Sequence, residues 1–129
     1  MCKISIVLPV FNERNDFLFS SLESIRCQTF QDWECRVVCE STKYDNFDLI
    51  RNFCSLDERF KLIKTVSKLG LSKSLNEGIS LSKAPLIARM DSDDIMHPSR
   101  LQTQLDYLEA NSRISVLGSS YQAIDEFGA

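Results

Sequence analysis

Asp91, Asp93 and Asp94 place three carboxylates within four residues, with only Ser92 between them. Anionic groups this close repel one another unless solvent or a cation neutralises them. A hard divalent ion meets that need, and Mg2+ or Mn2+ sites commonly combine one or two carboxylates with phosphate oxygens. The same residues also suit a structural role, with Asp93 or Asp94 complementing the N-terminus of a helix that begins near Pro98. The D-x-D spacing alone does not separate these readings. Its position favours a ligand, because the cluster follows the apolar run from Pro85 to Met90, and open α/β sheets bind ligands beyond the carboxyl ends of their strands.

Two more polar groups stand in equivalent places: Phe11-Asn12-Glu13 follows the run from Lys3 to Pro9, and Glu40-Ser41 follows the run from Trp33 to Cys39. All three groups are expected to converge on one edge of a sheet. Ordinary packing is the competing reading for Phe11, and a solvated charge before a helix is the competing reading for Glu13. Arg89 precedes Asp91 by two residues and therefore shares its face, where it either meets an anionic ligand or pairs with an acidic side chain. His97, the only histidine, reads more readily as a loop residue than as a metal ligand. Lys68 and Lys73, on either side of Gly70, are within reach of phosphates or simply solvated.

The elements that must position these residues follow from periodicity. Short β-branched and apolar runs predict strands at Lys3 to Pro9, Trp33 to Cys39, Phe60 to Val66 and Pro85 to Met90, with a further strand at Ile114 to Tyr121. Helical spacing of apolar residues predicts helices from about Asp16 to Gln28-Thr29, from Phe47 to Cys54 and from Leu71 to Ser82. A fourth helix is opened by Pro98, with Leu101, Leu105 and Leu108 on one face. Strands alternating with helices at short spacing imply an α/β fold with a mostly parallel sheet flanked by helices, because parallel strands need crossover connections.

Composition bounds the rest. A chain of 129 residues with 43% hydrophobic residues suits a single domain with one core. A net charge of −3 offers no general basic surface, so no nucleic-acid partner is expected. The five cysteines form no C-x-x-C pair and read as reduced thiols of a cytoplasmic protein. No apolar run approaches bilayer-spanning length, so no membrane span is expected in this chain; attachment through segments outside it stays open.

Five segments, in order, carry a resemblance. Ile4 to Glu13 (I-S-I-V-L-P-V-F-N-E), Gln28 to Glu34 (Q-T-F-Q-D-W-E) with Val37-Val38, Gly70 to Ile79 (G-L-S-K-S-L-N-E-G-I), Ile87 to Asp94 (I-A-R-M-D-S-D-D) and Pro98 to Gln102 (P-S-R-L-Q) resemble glycosyltransferase family 2. The resemblance implies a GT-A fold, in which a Rossmann-like nucleotide-binding half precedes an acceptor half. It also implies inverting transfer from a nucleotide-diphosphate sugar, a UDP-sugar being the expected donor, with Mn2+ or Mg2+ as cofactor and a saccharide or lipid-linked acceptor. Pro9, Val10 and Phe11 would line the nucleobase slot, and Glu13 would contact base or ribose. Asp91 would bind the ribose or support the metal, Asp93 would ligate the metal on the diphosphate, and the small Ser92 would leave room for it. On this reading residues 1–129 are a single donor-binding domain cut before the acceptor half. The general base then lies beyond residue 129, and the chain by itself binds donor without transferring sugar.

This sequence departs from the family pattern at two places. Cys39-Glu40-Ser41-Thr42 stands where relatives carry D-D-G-S, so Glu40 keeps the carboxylate expected to read the base but adds a methylene. Leu75 stands where many relatives carry an arginine aimed at the phosphates, and Arg89 is the candidate to replace that cation. Two other functions fit parts of the pattern: a non-catalytic nucleotide-binding or interaction module on a transferase fold, and a sugar nucleotidyltransferase. The second expects a glycine-rich basic signature after the first strand, where this chain has P-V-F-N-E-R-N.

Overall fold

The computed structural model describes residues 1–40, 45–65 and 69–129. Eight elements alternate in order: β1 (Ile4–Val10), α1 (Asn15–Arg26), β2 (Trp33–Cys39), α2 (Asn46–Leu56), β3 (Phe60–Lys64), α3 (Leu71–Leu81), β4 (Leu86–Arg89) and α4 (Arg100–Ala110). The strands form one four-stranded sheet in the order β3-β2-β1-β4. Every pairing is parallel, with Ile4 opposite both Trp33 and Leu86 and with Cys35 opposite Phe60. The expected α/β class is the one observed.

Alternation along β1 and β2 divides the sheet into two faces. Ile6, Leu8 and Val10 share one face with their register partners Cys35, Val37 and Cys39, and all six are buried. They join Leu18, Leu22 and Ile25 of α1, Ile50 and Phe53 of α2, and Leu101 and Leu105 of α4 in one core. The opposite face takes α3, and a glycine makes that approach possible: a Cβ at Gly78 would lie 2.4 Å from Val7 Cγ1 and 3.2 Å from Val38 Cγ2. On the α3 face Glu34 is buried beneath the α3–β4 connection, where it accepts hydrogen bonds from Ser5 Oγ (2.7 Å) and Lys83 N–H (2.8 Å) and pairs with Arg36 (2.8 Å).

The structure corrects three expectations. Residues Ile114 to Tyr121 form no strand, and Val116 and Tyr121 are 89% and 92% exposed. Their apolar pattern reports a segment suited to burial, but a strand also needs a neighbour for its N–H and C=O groups, and this segment pairs with neither sheet edge. Pro98 lies in the turn before α4, its carbonyl accepting Thr29 N–H at 2.9 Å, and the helix begins at Arg100. The first helix ends at Arg26, because Gln28 leaves it for the loop after β4. Val66, Ser41 and Lys68 lie outside the described residues.

Candidate functional site

Parallel strands put all their carboxyl ends at one edge, and in the order β3-β2-β1-β4 the chain steps one way from β1 through β2 to β3, then crosses back to place β4 on the other side of β1. A crevice opens where that reversal occurs. Here it is a cleft of about 370 Å3. Pro9, Val10, Phe11 and Glu13 line it from β1, Glu40 from β2, and Arg89, Asp91, Ser92 and Asp93 from β4. Each residue that sequence reasoning assigned to the site is thus at the cleft. The remaining wall, Gly70, Leu71 and Ser74 at the start of α3, belongs to a segment that carried the resemblance but was given no role in the site.

Buried polar side chains fix the loop that carries the aspartates. Ser21 Oγ donates to the Asp91 carbonyl (3.3 Å), and Ser24 Oγ accepts Met96 N–H (3.0 Å). Gln28, only 1% exposed, donates to the Ser24 and His97 carbonyls and accepts Leu101 N–H at 3.1 Å. Arg100 donates to the Arg89 carbonyl at 3.1 Å, and its burial holds the guanidinium below its usual pKa. The loop after β4 is therefore bolted to α1 and α4, which leaves its carboxylates pointing outward at a defined place.

The β1–α1 loop is held with equal care. Asn12 takes a φ of +46°, a left-handed conformation that asparagine tolerates better than most residues. Glu13 follows, its carboxylate accepting Ser92 Oγ at 2.8 Å, so the first and fourth strand ends are joined across the cleft floor. Behind it, the buried Asn46 bonds both backbone groups of Glu13. Asn46 escaped the sequence analysis because, directly before a helical pattern, it resembles any helix-capping asparagine. Glu40 accepts the amides of Leu69 and Gly70, tying the end of β2 to the start of α3. Gly70 needs its φ of +80° for that turn, a region where a Cβ is strained.

The electrostatics of the cleft are mixed. Arg89 reaches Asp91 at 3.4 Å, with both side chains about half exposed, so the pair is weak and open to exchange. Burial, then the neighbouring Asp93 and Asp91 charges, raise the pKa of the Asp94 carboxyl, with the Arg100 charge opposing them. Among the described residues no group of three or more His, Cys, Asp or Glu forms a metal cage. The donor set fits an ion that takes one or two carboxylates and draws its other ligands from phosphate and water. His97 stands apart from the cleft, its Nδ1 facing Ser99 N–H at 3.2 Å. Leu75 is half-buried on α3 and does not line the cleft, whereas Arg89 brings a guanidinium to it.

An open parallel sheet with a cleft at its switch point defines a Rossmann-like α/β fold. Comparison with known proteins narrows this: the family model for glycosyl transferase family 2 matches residues 5–129, and the chain belongs to that family. It is 40% identical to the bifunctional glycosyltransferase pgtA of Dictyostelium discoideum, over 89% of this chain and 17% of that protein. It is 33% identical to the putative glycosyltransferase EpsE of Bacillus subtilis, over 98% of this chain and 45% of that protein. The chain therefore spans less than half the length of either relative. Among solved structures, S. aureus TarS 1-349 in complex with UDP-GlcNAc superposes with a TM-score of 0.78 at 18% identity, over 85% of this chain and 32% of that one. The mannosyltransferase PcManGT of Pyrobaculum calidifontis, in complex with GDP-Man and Mn2+, gives 0.73 at 17% identity, over 83% of this chain and 32% of that one. At these identities the superpositions speak for the shared GT-A fold. Family membership leaves the nucleotidyltransferase alternative without support.

Proposed function

We propose that this chain is the donor-binding region of an inverting glycosyltransferase, taking a nucleotide-diphosphate sugar, UDP-linked, together with Mn2+ or Mg2+. The observation that carries the reading is the convergence on one cleft of an apolar and aromatic wall (Pro9, Val10, Phe11), a cation (Arg89) and two outward carboxylates (Asp91, Asp93). A nucleoside diphosphate has the matching parts: a flat base, a ribose and a charged diphosphate.

In this reading the base lies against Pro9, Val10 and Phe11, with Glu40 at its rim and Glu13 toward base or ribose. Asp91 binds the ribose or supports the metal, and Asp93 is the principal metal ligand. When bound, the metal neutralises charge on the departing diphosphate. Ser92, small and held against Glu13, leaves space between the two aspartates, and Arg89 exchanges its weak pairing with Asp91 for a phosphate oxygen. That the two superposed structures hold UDP-GlcNAc and GDP-Man, one of them with Mn2+, supports a nucleotide sugar as the ligand class.

Calorimetric titration with UDP, GDP and other nucleoside diphosphates, each with Mn2+ and with chelator, tests ligand class, base and metal together. UDP is expected to bind distinctly better with metal, because Asp91 and Asp93 otherwise repel the diphosphate. Equal affinity with metal and with chelator would overturn the metal reading. Absence of binding under both conditions would favour a non-catalytic interaction module.

A further inference from the structure

Asn46 is the first residue of α2, yet its side chain serves the loop after β1. It is fully buried. Oδ1 accepts the Glu13 N–H at 3.1 Å, while Nδ2 donates to the Glu13 carbonyl at 2.8 Å and to Asn15 Oδ1 at 2.9 Å. One amide thus holds both backbone groups of a single cleft residue and the start of α1. From the other side, Ser92 Oγ donates to the Glu13 carboxylate at 2.8 Å. Glu13 is gripped by its backbone from behind and by its carboxylate from the loop after β4.

The grip has a physical purpose. Asn12, immediately before Glu13, is in a left-handed conformation that a free loop would populate sparsely. Surrounding contacts must fix such a turn, and a carboxamide carries an acceptor and a donor side by side, so it can accept from the N–H and donate to the C=O of one residue. Aspartate in the same place accepts but does not donate, leaving the Glu13 carbonyl and Asn15 Oδ1 without that partner.

We infer that Asn46 is a positioning residue for the donor site, acting through Glu13 rather than by touching the ligand. The inference rests on the reading of the cleft as a nucleotide-diphosphate site. It gives α2, which lines none of the cleft, a part in donor affinity.

The test is a double-mutant cycle on the whole chain, with UDP as the probe in Mn2+ and in chelator, using Asn46→Asp, Glu13→Ala and the double variant. Thermal melts place each affinity on a folded-protein basis. Asn46→Asp is expected to weaken UDP by roughly tenfold, the size of one or two lost neutral hydrogen bonds. The loss should appear both in Mn2+ and in chelator, because the bonds that Asn46 makes are to the Glu13 backbone and not to Asp91 or Asp93. Glu13→Ala should also weaken UDP, and adding Asn46→Asp to it should change nothing further. Unaltered affinity in Asn46→Asp, or losses that add in the double variant, would overturn the inference while leaving the nucleotide reading intact. A wild-type chain that binds no UDP would remove both. Hydrogen exchange gives a check independent of any variant's folding: the Glu13 amide of the wild-type chain should be protected and gain protection with UDP, and free exchange in both states would overturn the inference.

Discussion

At the scale of the residue, the site divides between groups whose chemistry their type already declares and groups whose role depends on what they touch. Asp93 is of the first kind. It is exposed at the cleft, and Asp93→Asn keeps its shape while removing the charge a hard cation needs. The variant is expected to bind UDP in chelator at least as well as the wild type, since one repelling carboxylate is gone, and to lose the added affinity in Mn2+; a retained metal effect, measured by the same calorimetry, would move the metal to other ligands. Glu40 is of the second kind. Its place at the end of β2 was legible from the sequence, but its bonds to the Leu69 and Gly70 amides were not, because they join residues far apart in the chain. Those bonds hold the carboxylate at the cleft rim, where the proposed reading places the base. Glu40→Gln is therefore expected to change the ranking among UDP, GDP and other nucleotides while the metal dependence persists, and an unchanged ranking would assign Glu40 to loop structure alone.

At the scale of the element, the strands were legible where one physical signal dominated. Trp33–Cys39 matches its expected bounds because Trp33, Cys35, Val37 and Cys39 alternate onto one buried face and the run stops at the polar Glu40. Residues 114–121 carry a comparable signal but lack a pairing partner, and no local pattern reports a partner's presence. Gly78 shows a different limit: inside a helix it reads as a weak helix former, whereas its use is to let α3 settle on Val7 and Val38. Alanine there would gain helix propensity but would force its Cβ against a β-branched side chain in a packed layer. Overpacking of that kind costs about 1–3 kcal/mol, against roughly 1 kcal/mol gained in propensity. Gly78→Ala is accordingly expected to lower the urea midpoint, and a rise would mean that α3 has room to shift.

At the scale of the whole molecule, one carboxylate beneath the sheet ties stability to pH. Burial alone would raise the pKa of Glu34, but hydrogen bonds from Ser5 and the Lys83 amide, with the Arg36 charge, outweigh it and hold the carboxyl below its ordinary range. A carboxylate whose folded-state pKa is depressed contributes stability that is complete above its unfolded-state pKa and is lost as pH falls through the folded-state value. Glu34→Gln should therefore be less stable than the wild type near neutral pH, and the gap should narrow as pH falls below the ordinary glutamate range in chemical denaturation. The last expectation concerns catalysis and follows from how the carboxylates of the cleft are used. Inverting transfer needs a base in hydrogen-bond reach of the acceptor hydroxyl, a cation on the leaving diphosphate and a surface that holds the acceptor in line. Glu13 accepts Ser92, Glu40 accepts two backbone amides and Asp91 faces Arg89. Asp93 is assigned to the metal. Asp94 adjoins that metal motif, where a bound cation would stabilise its anion and weaken it as a base. His97 has suitable chemistry, but Ser99 occupies its Nδ1 side and the residue stands outside the cleft lining. The 129-residue chain is thus expected to bind a UDP-sugar with metal yet transfer nothing to a sugar or lipid acceptor, with slow hydrolysis of the donor by water as the upper limit. Product analysis with a labelled donor checks this, and sustained turnover onto an acceptor that is lost in Asp94→Asn or His97→Ala would identify the base within this chain.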